Sequence, residues 1–447
     1  MLSEIERNVF DYIETHRDET LRFLQKLIRI DTQVPPGHNY ASICELISDR
    51  LHTLGFETRI HEASEKYMKL SGAEYMGLEG SRSNLIAHKE GVESGISLHI
   101  SAHTDCAAIQ EEGWTFDPLG GKITDDTPYT KSLHDKGGGY IWGRGAADDK
   151  GEIAAMSLAV EALHELDIRV DGDLILTANC DEEIGGVAGL GYLIKEGLVK
   201  ANIGIQLDGG LQGIGLAAQG RTRFMLKTQG VSYHGQVPVL GINAIEKMSK
   251  LNVALNDYWR NVLLKRKVPV PGIDLGEELR NRGIYELTAM LNIGTIKGGV
   301  QGATVPDLCE EEVLRGMVPG ETFEDVYDEF KAVLDGVKIT DSDLNYELNV
   351  INYREGYVVS SSDSYAVECQ SIIEDAIGMR LPFTGTLAST DMNYQVVDGG
   401  MPCVNFGVGG AYSRGHKQDE NASIDELIQC SKAVALIILR KLGVHRM

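Results

Sequence analysis

Leu174-Ile175-Leu176-Thr177-Ala178-Asn179-Cys180-Asp181-Glu182-Glu183-Ile184-Gly185-Gly186 is the stretch on which the reading of this 447-residue chain turns. A short apolar run bounded by turn residues has the signature of a buried strand. Three adjacent acids then stand where the strand ends. Side by side they repel one another unless something positive sits among them. A solvated turn would explain them as well, so the stretch is informative only in company.

The company is there. His103-Thr104-Asp105 follows the strand-like Ser97-Leu98-His99-Ile100-Ser101-Ala102, and Asp208-Gly209 follows Ile203–Leu207. Asp148-Asp149-Lys150 closes a glycine-rich loop, Gly143-Arg144-Gly145-Ala146-Ala147, and opens a helical pattern. His416 closes a second glycine-rich loop that starts at Gly407. Between these clusters strand and helix signals alternate: strands over 96–100, 174–178 and 203–207, helices over 40–54, 153–166 and 187–194. That alternation predicts an α/β fold with a mostly parallel sheet. Such sheets bind ligands outside the carboxyl ends of their strands, which is where the clusters fall.

Working outward, the N-terminus reads as one helix through Leu27, opened by a Ser3…Glu6 capping box. From residue 221 the pattern changes. Strand 221–229, helix 243–262, strands 291–296 and 310–317, helix 322–334 and strand 346–351 give β-α-β-β-α-β, the ferredoxin-like or split βαβ arrangement. We therefore expect an inserted domain over 220–351. Residues 1–219 and 352–447 would together form a discontinuous catalytic domain, resumed by helix 364–377, strand 404–406 and a terminal helix capped by Ser423.

Composition narrows the function. The formal charge of -24 disfavours nucleic acid phosphates and anionic membranes as partners. Seven scattered cysteines without a C-x-x-C pair argue against a disulfide framework. With no apolar h-region at the start and no run of membrane-spanning length, a cytoplasmic protein is expected.

The clusters also suggest a chemistry. Two residues apart on a strand, His103 and Asp105 share a face, so the carboxylate could orient the imidazole of a metal ligand. Asp148 could bridge two cations through its two oxygens, although two acids at a helix start also complement the helix dipole. Glu183 could bind metal while Glu182 works on a water as general base. Asp208 alone reads as a turn residue, and the Gly407–Gly410 loop as an anion nest. His99 and Cys106 and Cys180 read as packed core residues.

The order H-x-D, G-R-G-x-x-D-D-K-G, D-E-E-x-G, a strand-end Asp and a glycine-rich loop closed by His resembles the M20 metallopeptidases, from Ile28 to the last helix. The resemblance implies a zinc-exopeptidase-like catalytic domain with an inserted lid, and two divalent cations, Zn2+ first, with Co2+ or Mn2+ as alternatives. Asp148 would bridge them, His103 and Asp208 would complete one site, and Glu183 and His416 the other. Glu182 would be the general base and Asp105 would orient His103. The Asp148–Asp149 peptide would be cis. The lid would form a homodimer, with His234 of the motif Tyr233-His234-Gly235 reaching the partner's active site. Arg315, Gly409 and Gly410 would hold a substrate carboxylate. Three departures stand out, the first being Asp208, where many deacylases carry glutamate and dipeptidases carry aspartate. Gly302-Ala303-Thr304 replaces an asparagine that many members carry before Val305-Pro306, and the 120–139 connection is long.

The implied activity is amide hydrolysis of an N-acyl amino acid or a related small carboxylate-bearing molecule. A dipeptidase or carboxypeptidase is the alternative, and a non-catalytic binding protein the distant one. A G-x-G-x-x-A match at Gly213–Ala218 lacks the helix a dinucleotide site needs.

Overall fold

The computed structural model describes residues 2–93, 95–410 and 412–445. Ala411, in the glycine-rich loop before His416, lies outside them. The core is a mixed, largely parallel nine-stranded sheet. Its order is Glu57–Glu62, Ser83–Lys89, Leu174–Asn179, Leu98–His103, Ile203–Leu207, Cys403–Phe406, Ile214–Ala218 and Tyr357–Val358, with Phe383–Thr386 also pairing Ile214–Ala218. Leu98–His103 runs parallel to both its neighbours, and Ile203–Leu207 runs parallel to Cys403–Phe406. The antiparallel pairs lie towards the edges.

Leu98–His103 and Ile203–Leu207 are buried at every residue, as expected for parallel strands covered on both faces. Helices Lys150–Glu165 and Ile424–Leu442 pack against each other and are buried along most of their length. Their nearly continuous apolar sequence reflects that double burial.

Two helices differ from expectation. The capping box at Ser3 is present, but the helix breaks at His16 into Glu4–Thr15 and Arg17–Arg29. The apolar rhythm survives the break because both pieces bury a face in the same core. The helix expected over 187–194 is only Leu190–Lys195. Gly185 and Gly186, at φ 130° and 65°, turn the chain just before it.

Strands Met290–Gly298, Leu308–Met317, Gly220–Gln229 and Asn345–Arg354 form a separate four-stranded antiparallel sheet in that order. Helices Ala244–Asn261 and Phe323–Thr340 connect its strands. Burial alternates along Gly220–Gln229, so one face is covered and the other is not. The last strand continues three residues beyond 351 and ends at Arg354. The 120–139 connection is folded: Lys122–Thr124 pairs Tyr140–Trp142, which pairs Asn421–Ser423 beside the His416 loop.

Candidate metal centre

The strand ends bring five of the expected donors together. Leu98–His103 delivers His103 at its last residue, and Ile203–Leu207 delivers Asp208 just past its end. A single 3-10 turn, Glu182–Ile184, presents Glu182 and Glu183 after strand Leu174–Asn179. Asp148 stands two residues before helix Lys150–Glu165, and the Asp148–Asp149 peptide is cis. His416 sits on a loop at φ 63°.

Asp148 lies between the two imidazoles. Its Oδ1 is 3.0 Å from His103 Nε2 and its Oδ2 is 3.1 Å from His416 Nε2. Glu183 Oε2 is 2.9 Å from the same His416 nitrogen. Donor atoms of Asp148, Glu183 and His416 lie within 4.8 Å of one another, and so do those of His103, Glu182 and Asp208. One carboxylate facing two histidines, flanked by further oxygen donors, is a donor set that suits a pair of borderline-hard divalent cations.

The supporting bonds explain why the donors hold still. Asp105 accepts the backbone N–H of Glu182 at 3.1 Å and of Glu183 at 3.0 Å, and lies 3.4 Å from His103 Nδ1. The ring nitrogen is closer, at 3.1 Å, to the Asp105 carbonyl. Asp105 therefore ties the acid turn to the histidine strand, more than the orienting role expected of it. Asp149 accepts the His103 N–H at 2.6 Å. Glu420 accepts the N–H groups of Ala147 and Asp148 and is paired with buried Arg144.

Electrostatics show how crowded the acids are. Burial, then the charge of Asp148, pushes Glu183 up to about 7. Burial and Glu182 hold Asp208 well above the usual carboxylate range. Hydrogen bonds that Asp148 and Glu183 accept from it push the His416 imidazole up to about 11. For His103 burial opposes the proton, yet Asp149, Asp105 and Asp148 outweigh it and raise the ring well above its ordinary value. The site is short of positive charge, which divalent cations would supply.

Two lobes open beside these donors. One, of about 450 Å³, is lined by small and neutral residues such as Gly213, Ala217, Thr384, Thr386 and Asn405. The other, of about 300 Å³, is lined by Gly410, Ser413 and Lys417. Gly410 thus stands at the cleft, at φ 110°, while Gly409 is buried against Ala147. Lys417 is the one lysine or arginine among the described residues lining either lobe.

Arg315 is not brought to the cleft, and the expectation for it is corrected. It is fully buried and donates to Glu321 at 2.6 and 3.1 Å and to the Gly316 carbonyl. It lies on the same face of its strand as Val313 and Met317, both buried. His234 is exposed on the inserted unit, bridged in backbone to Thr304, and is not among the residues lining the cleft. His99 is a packed histidine, hydrogen-bonded to Thr177 and Gln395, and Cys106 and Cys180 are buried.

Sequence reasoning missed three residues. Arg354 donates to Glu182 at 2.7 Å and to Asp391 at 3.3 Å, all three side chains nearly inaccessible. Neither Arg354 nor Asp391 lies in a glycine-flanked cluster, so nothing marked them. Asp419 accepts from Thr115 and Tyr129 and so pins the His416 loop to the 115–142 segment. That gives the long connection a role as a brace.

Comparisons with known proteins bear on the family and the fold. The chain is 26% identical, over 96% of its length and 95% of the relative's, to the N-formyl-4-amino-5-aminomethyl-2-methylpyrimidine deformylase of Bacillus subtilis. Its fold matches the dipeptidase Dug1p of Saccharomyces cerevisiae with TM-score 0.75 at 16% identity, covering 97% of this chain and 98% of that one. It also matches YXEP of Bacillus subtilis, a dinuclear metal-binding peptidase, with TM-score 0.59 at 14% identity, covering 96% and 99%. The family model described as Peptidase family M20/M25/M40 matches residues 99–440, and the chain belongs to that family of amide-bond hydrolases.

Proposed function

We propose that the protein is a dinuclear metal hydrolase that removes a small acyl group from an amine nitrogen. The observation that carries this reading is Asp148, one oxygen towards each histidine, with Glu182 beside it. His103 and Asp208 would hold one cation, Glu183 and His416 the other, and Asp148 both. Bound Zn2+, or Co2+ or Mn2+ in its place, supplies Lewis acidity and makes water acidic enough to give up a proton near neutral pH.

Glu182 takes that proton at the carboxylate oxygen not engaged by Arg354 and passes it to the departing nitrogen. Asp105 keeps Glu182 and Glu183 in register with His103. The deformylase relative supports a short acyl group. With Arg315 elsewhere, a substrate carboxylate would be met by Lys417 and the Gly410 backbone.

The inserted unit reads as a lid and dimerisation domain. Val239 and Val300, both highly exposed, lie in its loops with His234, and a second copy would cover them and bring His234 to the neighbouring cleft. Buried, unpaired cysteines agree with a reducing cytoplasm. Among the described residues no helix is long and apolar enough to cross a membrane.

The test is metal content of the purified protein together with product release from N-formyl, N-acetyl and N-succinyl amines and from dipeptides. About two metals per chain and hydrolysis of a short N-acyl amide are expected. Turnover of dipeptides alone would move the protein to the peptidase side. No bound metal and no turnover would leave a binding protein.

A further inference from the structure

Arg354 is an unusual residue to find against a general base. Its side chain is 2% exposed, and every nitrogen has a protein acceptor. Nη2 donates to Glu182 Oε1 at 2.7 Å and to the Ser389 carbonyl at 2.8 Å. Nε donates to Ser389 Oγ at 2.8 Å, and Nη1 to Asp391 Oδ1 at 3.3 Å. A planar guanidinium held at three corners is a rigid fork, and its bond to one oxygen of Glu182 fixes the rotamer of that carboxylate.

The place of Arg354 in the chain matters as much. It is the last residue of the last strand of the inserted sheet, paired in register with Arg221 at the start of the first. Half-buried Arg221 presses a second guanidinium towards the first, and burial and Arg354 lower it to about 10. Just beyond, the two crossings between the units touch through glycines. A Cβ on Gly220 would come within 2.4 Å of the Arg354 carbonyl and of Gly356 N. The inserted sheet therefore reaches the Glu182 carboxylate through Arg354, near the point where both crossings meet, while Asn352 on the same strand donates to the Ile184 carbonyl of the same turn.

We infer that Arg354 is a positioning residue: anchored by Ser389 and Asp391, it holds Glu182 in the orientation needed for proton transfer and ties that orientation to the seating of the inserted sheet. The inference rests on Glu182 being the base. It adds that the base is aimed from the other unit, so that a change at residue 354 acts on turnover only through residue 182.

A double-mutant cycle tests it on the full-length metal-loaded protein. Arg354→Met is expected to lower kcat about a hundredfold, with KM within about threefold and two metals retained. Arg354→Lys is expected to recover part of the loss. In a Glu182→Gln background Arg354→Met should cost nothing further, because the residue it aims is gone. Should Arg354→Met fail to fold, the isosteric Asp391→Asn takes its place, with a several-fold loss expected that likewise vanishes in Glu182→Gln. Equal losses in both backgrounds, or wild-type kcat for the folded variant, would overturn the inference. Full turnover by Glu182→Gln alone would instead remove the base, and with it the proposed mechanism.

Discussion

The two halves of the candidate centre use the same donor chemistry on different supports. His103 closes a central strand and its side chain is 1% exposed, whereas His416 rides a loop and is 57% exposed. The first is placed by the sheet itself: its backbone is laddered to strand Leu174–Asn179 and its N–H is taken by Asp149. The second depends on hydrogen bonds made by its neighbours Asp419 and Glu420 to other segments. One half comes with the core, and the other has to be braced onto it. The centre should therefore fail asymmetrically, and its breaking points can be ranked.

The largest effect should fall on the residue that belongs to neither brace. Glu182→Gln is expected to lose roughly 10²- to 10⁴-fold in kcat, the usual worth of a positioned general base. Metal content, read by elemental analysis, should stay the same, because the strand ends and loop that hold the other donors are untouched. A variant that turned over normally would show that some other group moves the proton.

The comparison itself is broken by changing one histidine at a time. His416→Ala should leave about one metal per chain and little change in melting temperature. His103→Ala should lose metal and stability together, since the Asp105 carbonyl then loses its buried ring partner while Asp149 keeps the backbone N–H, a cost of about 1–3 kcal/mol. If both variants melted alike, the contrast between core-built and braced halves would be wrong. A subtler break is Asp419→Ala, which frees the loop from Thr115 and Tyr129. Removing such an outer partner typically weakens metal affinity about 10- to 100-fold, and here only one of two titrated sites should weaken.

The same contrast explains what the sequence could and could not say. Donors at strand ends and in glycine-rich loops were legible because the position and the residue type spoke together: His103, Asp148, Glu183, Asp208 and His416 are brought together. Arg315 was misread although its alternation with buried Val313 and Met317 already put it on the covered face of its strand. The family motif was followed, and the residue's place in its strand was not weighed. Arg354 had no such signal. Its meaning depends on where the inserted sheet docks, and no local spacing encodes that. Asp419 was invisible for a similar reason, because its partners lie about 300 residues earlier in the chain.

The effect that sharpens the comparison most is the one of pH. A ligand must shed its proton before it can hold a cation. With Asp148 and Glu183 accepting from it, His416 is pushed up to about 11, so without metal it carries its proton throughout the neutral range. Glu183 is pushed up to about 7, so it too gains a proton as pH falls through that value. Both shifts make protons compete with metal, and the sign follows: affinity at the His416 half should rise with pH between 6 and 8, about tenfold per unit for each proton released. Isothermal titration with zinc in buffers of different ionisation enthalpy would count those protons directly. Asp419→Ala should lower affinity while keeping the slope, whereas His416→Ala should flatten it. A slope unchanged by the loss of His416 would assign the released protons to the core-built half.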